Sequence, residues 1–249
     1  MIHIIGDGII EQAKAFNDVK KALEFDCDVY LGAMWCNLVG HKLTGKVIYN
    51  MEPLYDESKL FSVAGYMEIL RNNIILDFSK KNIEYLKTKG IEAFHLPYGY
   101  HPYLERVEQL HKTIDVLFVG TEYYPRRSEL FNKLSRKCKF VSARGYYEKE
   151  LDQLIGKAKV HLNLHHYDAN QPLEVVRLNY LMANHCNVVT EFGNDEEVNQ
   201  KYQGIRMTDY DSLMDSCLEA LEVPMDGYEV IKKMPQDCKK ANEWLRSKL

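Results

Sequence analysis

Apolar and polar positions switch between two periods along almost the whole chain. Short β-branched or aromatic runs are each followed by a stretch in which apolar residues recur three and four apart, the spacing of one helical face. In the first half this predicts strands at 2–5, 28–32, 46–49, 74–77 and 92–95, and helices at 10–24, 58–71 and 79–87. Ser79 supplies a side-chain N-cap for the last of these and Gly90 a stop. In the second half strands are expected at 114–119, 139–142, 159–164 and 187–190, and helices at 126–136, 149–156, 173–183, 195–201 and 210–221. The stretch 228–249 reads as helix broken near Pro235. Strands alternating with helices predict an α/β chain built on mainly parallel sheets. Pro97, Gly99 and Pro102 crowd into 95–103, which is therefore the expected hinge. The expected organisation is two Rossmann-like domains, 1–100 and 101–249, with the last helix a candidate to pack back on the first. Strand carboxyl ends would then line a central cleft, where open parallel sheets bind ligands.

Composition narrows the class. The 249 residues are 46% hydrophobic and 27% charged, enough apolar side chain for a full core, so global disorder is excluded. Lys and Arg number 32 against 36 Asp and Glu, a formal charge of −4, so the basic excess that drives sequence-blind nucleic-acid binding is missing. The first residues, MIHIIG, carry no basic leader, and no apolar run approaches membrane-spanning length. Six scattered cysteines lack metal-ligand or disulfide-framework spacing. A soluble cytoplasmic protein with free thiols and no metal site is the expectation.

Candidate chemistry sits where strands end. After the 114–119 strand come Gly120 and Thr121, then Arg126 and Arg127 at the start of a helix. This is either a diphosphate seat, with glycine admitting a phosphate to the backbone, or a βα loop with two solvated arginines. Arg177 and Tyr180 share one face of the 173–183 helix with an apolar stripe, and the arginine needs an anionic partner. That partner is Glu174 at i−3 or a ligand phosphate. His165 and His166 lie just past a strand end, where they serve either structure or ligand. In the first half Gly6-Asp7-Gly8 forms a short glycine turn without the dinucleotide fingerprint. Glu52, held by Pro53 after the 46–49 strand, is either a general base or a surface carboxylate.

The run DVLFVG from Asp115 to Gly120 with Pro125-Arg126-Arg127, the segment LPYGYHP from Leu96 to Pro102, and HLNLH from His161 to His165 leading to Glu174-x-x-Arg177 together resemble sugar-nucleotide glycosyltransferases of the GT-B type. The resemblance spans about residues 46 to 191 and points in particular to small bacterial and viral groups, CgeB-like proteins and phage DNA β-glucosyltransferases. It implies a hexosyl- or pentosyltransferase that is inverting, metal-independent and without a tightly bound cofactor, using a nucleotide-diphosphate sugar, foremost a UDP-sugar, as co-substrate. Arg177, with Arg127 and Arg126, would bind the donor diphosphate beside Gly120, Thr121, His165, Glu174 and Tyr180. Glu52 would be the catalytic base, with Asp7, Gly8, Tyr100 and His101 on the acceptor side. The family's ribose-binding glutamate falls at Tyr180 and its E-x7-E pattern is absent, which leaves Glu174 as the substitute. The acceptor would be a glycan, a small molecule or, as a first alternative, hydroxymethylated pyrimidine in DNA, met by the basic residues between Lys42 and Lys89. A second alternative is a nucleotide-sugar-binding protein without turnover.

Overall fold

A computed structural model describes residues 1–54, 63–166 and 171–249. The chain divides into two compact units, Met1–Tyr98 with Gln236–Leu249, and Gly99–Pro235.

The first unit carries strands β1 (Ile2–Ile4), β2 (Val29–Leu31), β3 (Val47–Asn50), β4 (Ile74–Asp77) and β5 (Ala93–His95). They pair in parallel in chain order, β1-β2-β3-β4-β5, so the sheet winds in one direction without reversal. Ile48 and Ile75 pack with Met67, Leu70, Leu86 and Ile91, while their strand neighbours Tyr49 and Leu76 are equally buried. Burial on both faces explains continuous apolar runs rather than alternation. The expected helix at 10–24 is a 3-10 turn, Glu11–Ala15, followed by helix α1 (Phe16–Ala22). Ile10, at the N-cap, gives no side-chain cap, and an uncapped first turn tightens readily into 3-10 geometry. Helix α2 is described over Val63–Arg71, and its expected start at 58–62 lies outside the described residues. Helix α3 (Lys80–Thr88) starts as expected, with Ser79 Oγ accepting from Asn82 N.

The second unit carries β6 (Ile114–Val119), β7 (Phe140–Ala143), β8 (Ala158–Asn163), β9 (Val188–Glu191) and β10 (Arg206–Thr208), with helices α4 (Pro125–Ser135), α5 (Glu148–Gly156), α6 (Val175–Ala183), α7 (Glu196–Lys201), α8 (Leu213–Glu222) and α9 (Tyr228–Ile231). All pairings are parallel, in the order β10-β9-β8-β6-β7. Chain order reverses between β6 and β8, and such switch points are where open parallel sheets bind ligands. The three-residue edge strand β10 is absent from the sequence reading because Arg-Met-Thr offers no alternation. The expected helix at 210–221 opens with a 3-10 turn, Tyr210–Ser212. Chain 228–249 forms α9 and, after Pro235, helix α10 (Lys239–Arg246). In the first unit α10 sets Trp244 against Phe94, and Arg246 pairs with Asp26.

Candidate functional site

The switch point of the second unit gathers most of the residues expected to hold a donor. Gly120 ends β6 with φ 153°, and a Cβ there would stand 2.9 Å from the Phe118 ring, so glycine is required. Arg126 and Arg127 occupy the first turn of α4, whose N-terminus opens at the same strand ends. Arg127 is 3% exposed and donates to three backbone carbonyls: Thr121 at 2.7 Å, Leu164 at 2.6 Å and His165 at 3.3 Å. Its guanidinium also lies over Phe118. Burial pulls its pKa down to about 10, so it remains charged at neutral pH. Arg127 therefore ties the loop after β6 to the loop after β8. Arg127→Met is expected to orphan these carbonyls and cost about 2–4 kcal/mol, read as a lower denaturant midpoint at unchanged m.

Arg126 forks onto Glu191 at the end of β9, at 2.6 and 2.9 Å, and reaches His165 O at 3.1 Å. It stacks over Tyr210. Glu191 also accepts from His165 N at 2.8 Å. Arg177, on the first turn of α6, donates to Asn163 Oδ1 at 2.8 Å and pairs with Glu174 at 2.7 Å. Both members of that pair are about a third exposed, with side chains 32% and 27% accessible, so they exchange partners at little cost. Three arginines against the carboxylates of Glu174 and Glu191 leave one net positive charge, 3 − 2 = +1, beside two helix N-termini. His165 Nε2 donates to Phe192 O at 2.9 Å, and its Nδ1 is buried without a hydrogen-bond partner among the described residues. His166, half-buried against Tyr124, is driven down to about 4 by burial and then by the Arg127 charge, so it is neutral at physiological pH. Residues 167–170, which follow His166, lie outside the described residues.

Tyr180 faces elsewhere. Its hydroxyl donates to Asp152, which Arg106 Nε also meets at 2.9 Å, and the Arg106 guanidinium covers the Tyr180 ring. Tyr180 and Arg177 share only the lining of a small pocket of about 70 Å³ with Leu117, His161 and Leu181. Tyr100 donates to Glu105, as does Tyr228, and His101 Nδ1 caps the 3-10 turn Pro102–Leu104.

In the first unit Glu52 follows β3, half-buried, on a backbone gripped by its neighbours. Its carbonyl accepts from Asn50 Nδ2 and Asn82 Nδ2 at 3.0 and 2.9 Å. Both amides also bond to Asp77, fully buried at the end of β4. Burial pushes the Asp77 carboxyl up to about 7. The unfolded carboxyl releases its proton near 3.8, so between about pH 4 and 7 only the folded chain keeps it. The Asp77 contribution to stability is thus greatest below that window, declines as pH rises through it and levels off above, and comparing thermal midpoints of wild type and Asp77→Asn across that range isolates it. Asp7 and Gly8 are exposed in the turn after β1, where Gly8 has φ 73°.

The sequence reading missed Asn50, Asp77, Asn82, Asn163 and Glu191. Asp77 and Glu191 are acids at strand ends, the same signal that singled out Glu52, whereas the amides carry no pattern of their own.

No family model matches the chain. Two uncharacterized proteins of Acanthamoeba polyphaga mimivirus are similar, one 27% identical over 193 residues and the other 28% over 159. The alignments cover 72% and 61% of this chain but 60% and 55% of those proteins, so the chain spans less than two thirds of their length. Solved structures match over nearly the whole chain. A UDP-forming α,α-trehalose-phosphate synthase from Burkholderia vietnamiensis covers 95% of it at TM-score 0.52 and 11% identity, with 75% of its own length matched. TarM covers 95% at TM-score 0.57 and 10% identity, with 57% of its length matched. Anabaena HepE in complex with UDP covers 95% at TM-score 0.53 and 10% identity, with 81% matched. The fold is GT-B. Within this GT-B chain the arginine cluster belongs to the second unit and the buried Asp77 cluster to the first. Among the described residues no helix is long and apolar enough to cross a membrane, and no group of three or more His, Cys, Asp or Glu is placed to hold a metal ion. All six cysteines are free thiols.

Proposed function

We propose that the protein is a glycosyltransferase that moves a sugar from a nucleoside-diphosphate donor, a UDP-sugar, to an acceptor hydroxyl. The observation that carries this reading is the convergence of Arg126, Arg127, Arg177 and two helix N-termini on the switch point of a parallel sheet. Such a site favours a pyrophosphate. The GT-B fold and neighbours titled UDP-forming or bound to UDP supply the sugar-nucleotide chemistry.

In this reading Arg177 leaves Glu174 for the donor diphosphate. Arg127 shapes the seat from below, since three of its donors already hold the two loops. Charge accumulating on the leaving diphosphate is met by cations and amides already in place, which lowers the barrier without reorganisation. Glu52 takes the proton of the acceptor hydroxyl as it attacks the anomeric carbon, giving inversion. Because Tyr180 is committed to Asp152, this reading assigns the ribose hydroxyls to Glu174.

Thermal shift against nucleoside diphosphates, their sugars and the free nucleosides tests the donor site, because a ligand binding only the folded state raises the midpoint. Stabilisation by UDP and UDP-sugars but not uridine is expected; no shift with any diphosphate would remove the reading. Release of UDP from UDP-sugar upon adding glycan or hydroxymethylated-DNA acceptors then separates a transferase from a binding module, the alternative favoured by the absence of an acid at position 180.

A further inference from the structure

The carboxyl ends of β3 and β4 hold a buried polar cluster whose geometry runs in one direction. Asp77 accepts hydrogen bonds from Ser79 N at 2.8 Å, from Asn82 Nδ2 at 3.0 and 3.2 Å, and from Asn50 Nδ2 at 2.6 Å. The two amides pass this orientation to the chain. Their nitrogens converge on the Glu52 carbonyl, while Asn50 Oδ1 accepts from Glu52 N at 3.2 Å and Asn82 Oδ1 from Leu54 N at 2.8 Å. An amide side chain can be turned end for end, so something must fix which end faces which partner. A carboxylate, which only accepts, does so for both.

We propose that Asp77 is a positioning residue: its ionised carboxylate sets the orientation of Asn50 and Asn82, and through them the backbone that carries Glu52. An uncharged carboxyl would turn an O–H into surroundings made of donors, where it has nothing to give a proton to among the bonds described. Burial and the donors oppose each other here, and the resulting value of about 7 puts the change of charge near neutrality. Among the described residues, the titratable groups facing it are Glu52 on the β3 loop and Tyr66 on α2, with His95 paired opposite it at the end of β5. Tyr66 donates to Asn50 Oδ1 at 2.6 Å, and burial, with Glu52, Asp77 and Cys36 nearby, holds its hydroxyl protonated. His95 Nε2 donates to Phe78 O at 3.2 Å.

The consequence for turnover rests on Glu52 acting as the base; the consequence for the backbone does not. Amide hydrogen exchange of the full chain, corrected for intrinsic rates, tests the second. In the wild type, protection at Glu52 and Leu54 is expected to be roughly tenfold lower at about pH 5.5 than at about pH 8.5, with Ile48 and Tyr49 in β3 unchanged. In Asp77→Asn, where an amide places an N–H against those donors, the low protection is expected at both pH values. Equal protection at both pH values in the wild type overturns the proposal, and that comparison stands even if the variant fails to fold. In a transfer assay Asp77→Asn is expected to lower kcat at unchanged donor KM. Full activity of Glu52→Gln alongside pH-dependent protection would remove Glu52 as base and leave Asp77 as the residue that orders this segment.

Discussion

Glu52→Gln is expected to leave UDP affinity unchanged while turnover falls by about 10²- to 10⁴-fold, the range supplied by a positioned general base. The substitution keeps the shape of the side chain and removes only its ability to take a proton. The hydrogen bonds that the Asn50 and Asn82 side-chain amides donate to the Glu52 carbonyl are indifferent to the change, so the segment holds its place. The arginines proposed to take the donor all belong to the second unit, which is why binding and turnover are expected to separate. Calorimetry with UDP and initial rates of UDP release measure the two. A variant that turns over at the wild-type rate transfers the role of base to another group, and one that loses UDP binding places Glu52 in the donor site instead.

Arg177→Ala is expected to weaken UDP binding by about 1.5–3 kcal/mol, roughly 10- to 100-fold in Kd, the contribution of a hydrogen bond to a charged group. Of the three arginines it is the one whose commitments are most easily exchanged. Arg127 is locked by three carbonyls and Arg126 by both oxygens of Glu191, whereas the carboxylate partner of Arg177 is part-exposed and only three residues away. A diphosphate offers more charge than that carboxylate, and in the proposed function it takes its place beside the N-terminus of α6. Glu174→Gln separates two roles for the glutamate. If Glu174 only occupies Arg177 until a phosphate arrives, Glu174→Gln alone holds UDP as well as the wild type or more tightly. A tenfold loss, by contrast, makes it a ligand of the nucleotide, as the ribose contact requires. Calorimetry with UDP and UMP reads this out, since both carry the ribose while the competition for Arg177 weakens with the phosphate charge.

What the sequence determined by itself is local. Alternating periods placed most strands and helices within a residue or two, because each depends on side chains a few positions apart. Ser79 before α3 and Asp195 before α7 mark helix starts by their own hydrogen bonds. Gly120 and the arginines after it marked a candidate anion seat by residue type. Tertiary structure decided the rest. The two sheets follow the same kind of pattern, yet one winds in a single direction and the other reverses at β6 and β8, a difference set by crossover packing rather than by any strand's composition. Arg126 meets Glu191 across 65 positions and Asn50 meets Asp77 across 27, so neither pair leaves a spacing to read. Tyr180 and Arg177 share a helical face in the sequence, but three residues turn a helix by about 300°, enough to send the hydroxyl to Asp152 and the guanidinium to Asn163. Asp77 is the plainest case: nothing around it in the chain sets it apart from any acid ending a strand, and only complete burial among donors gives it a pKa near neutrality.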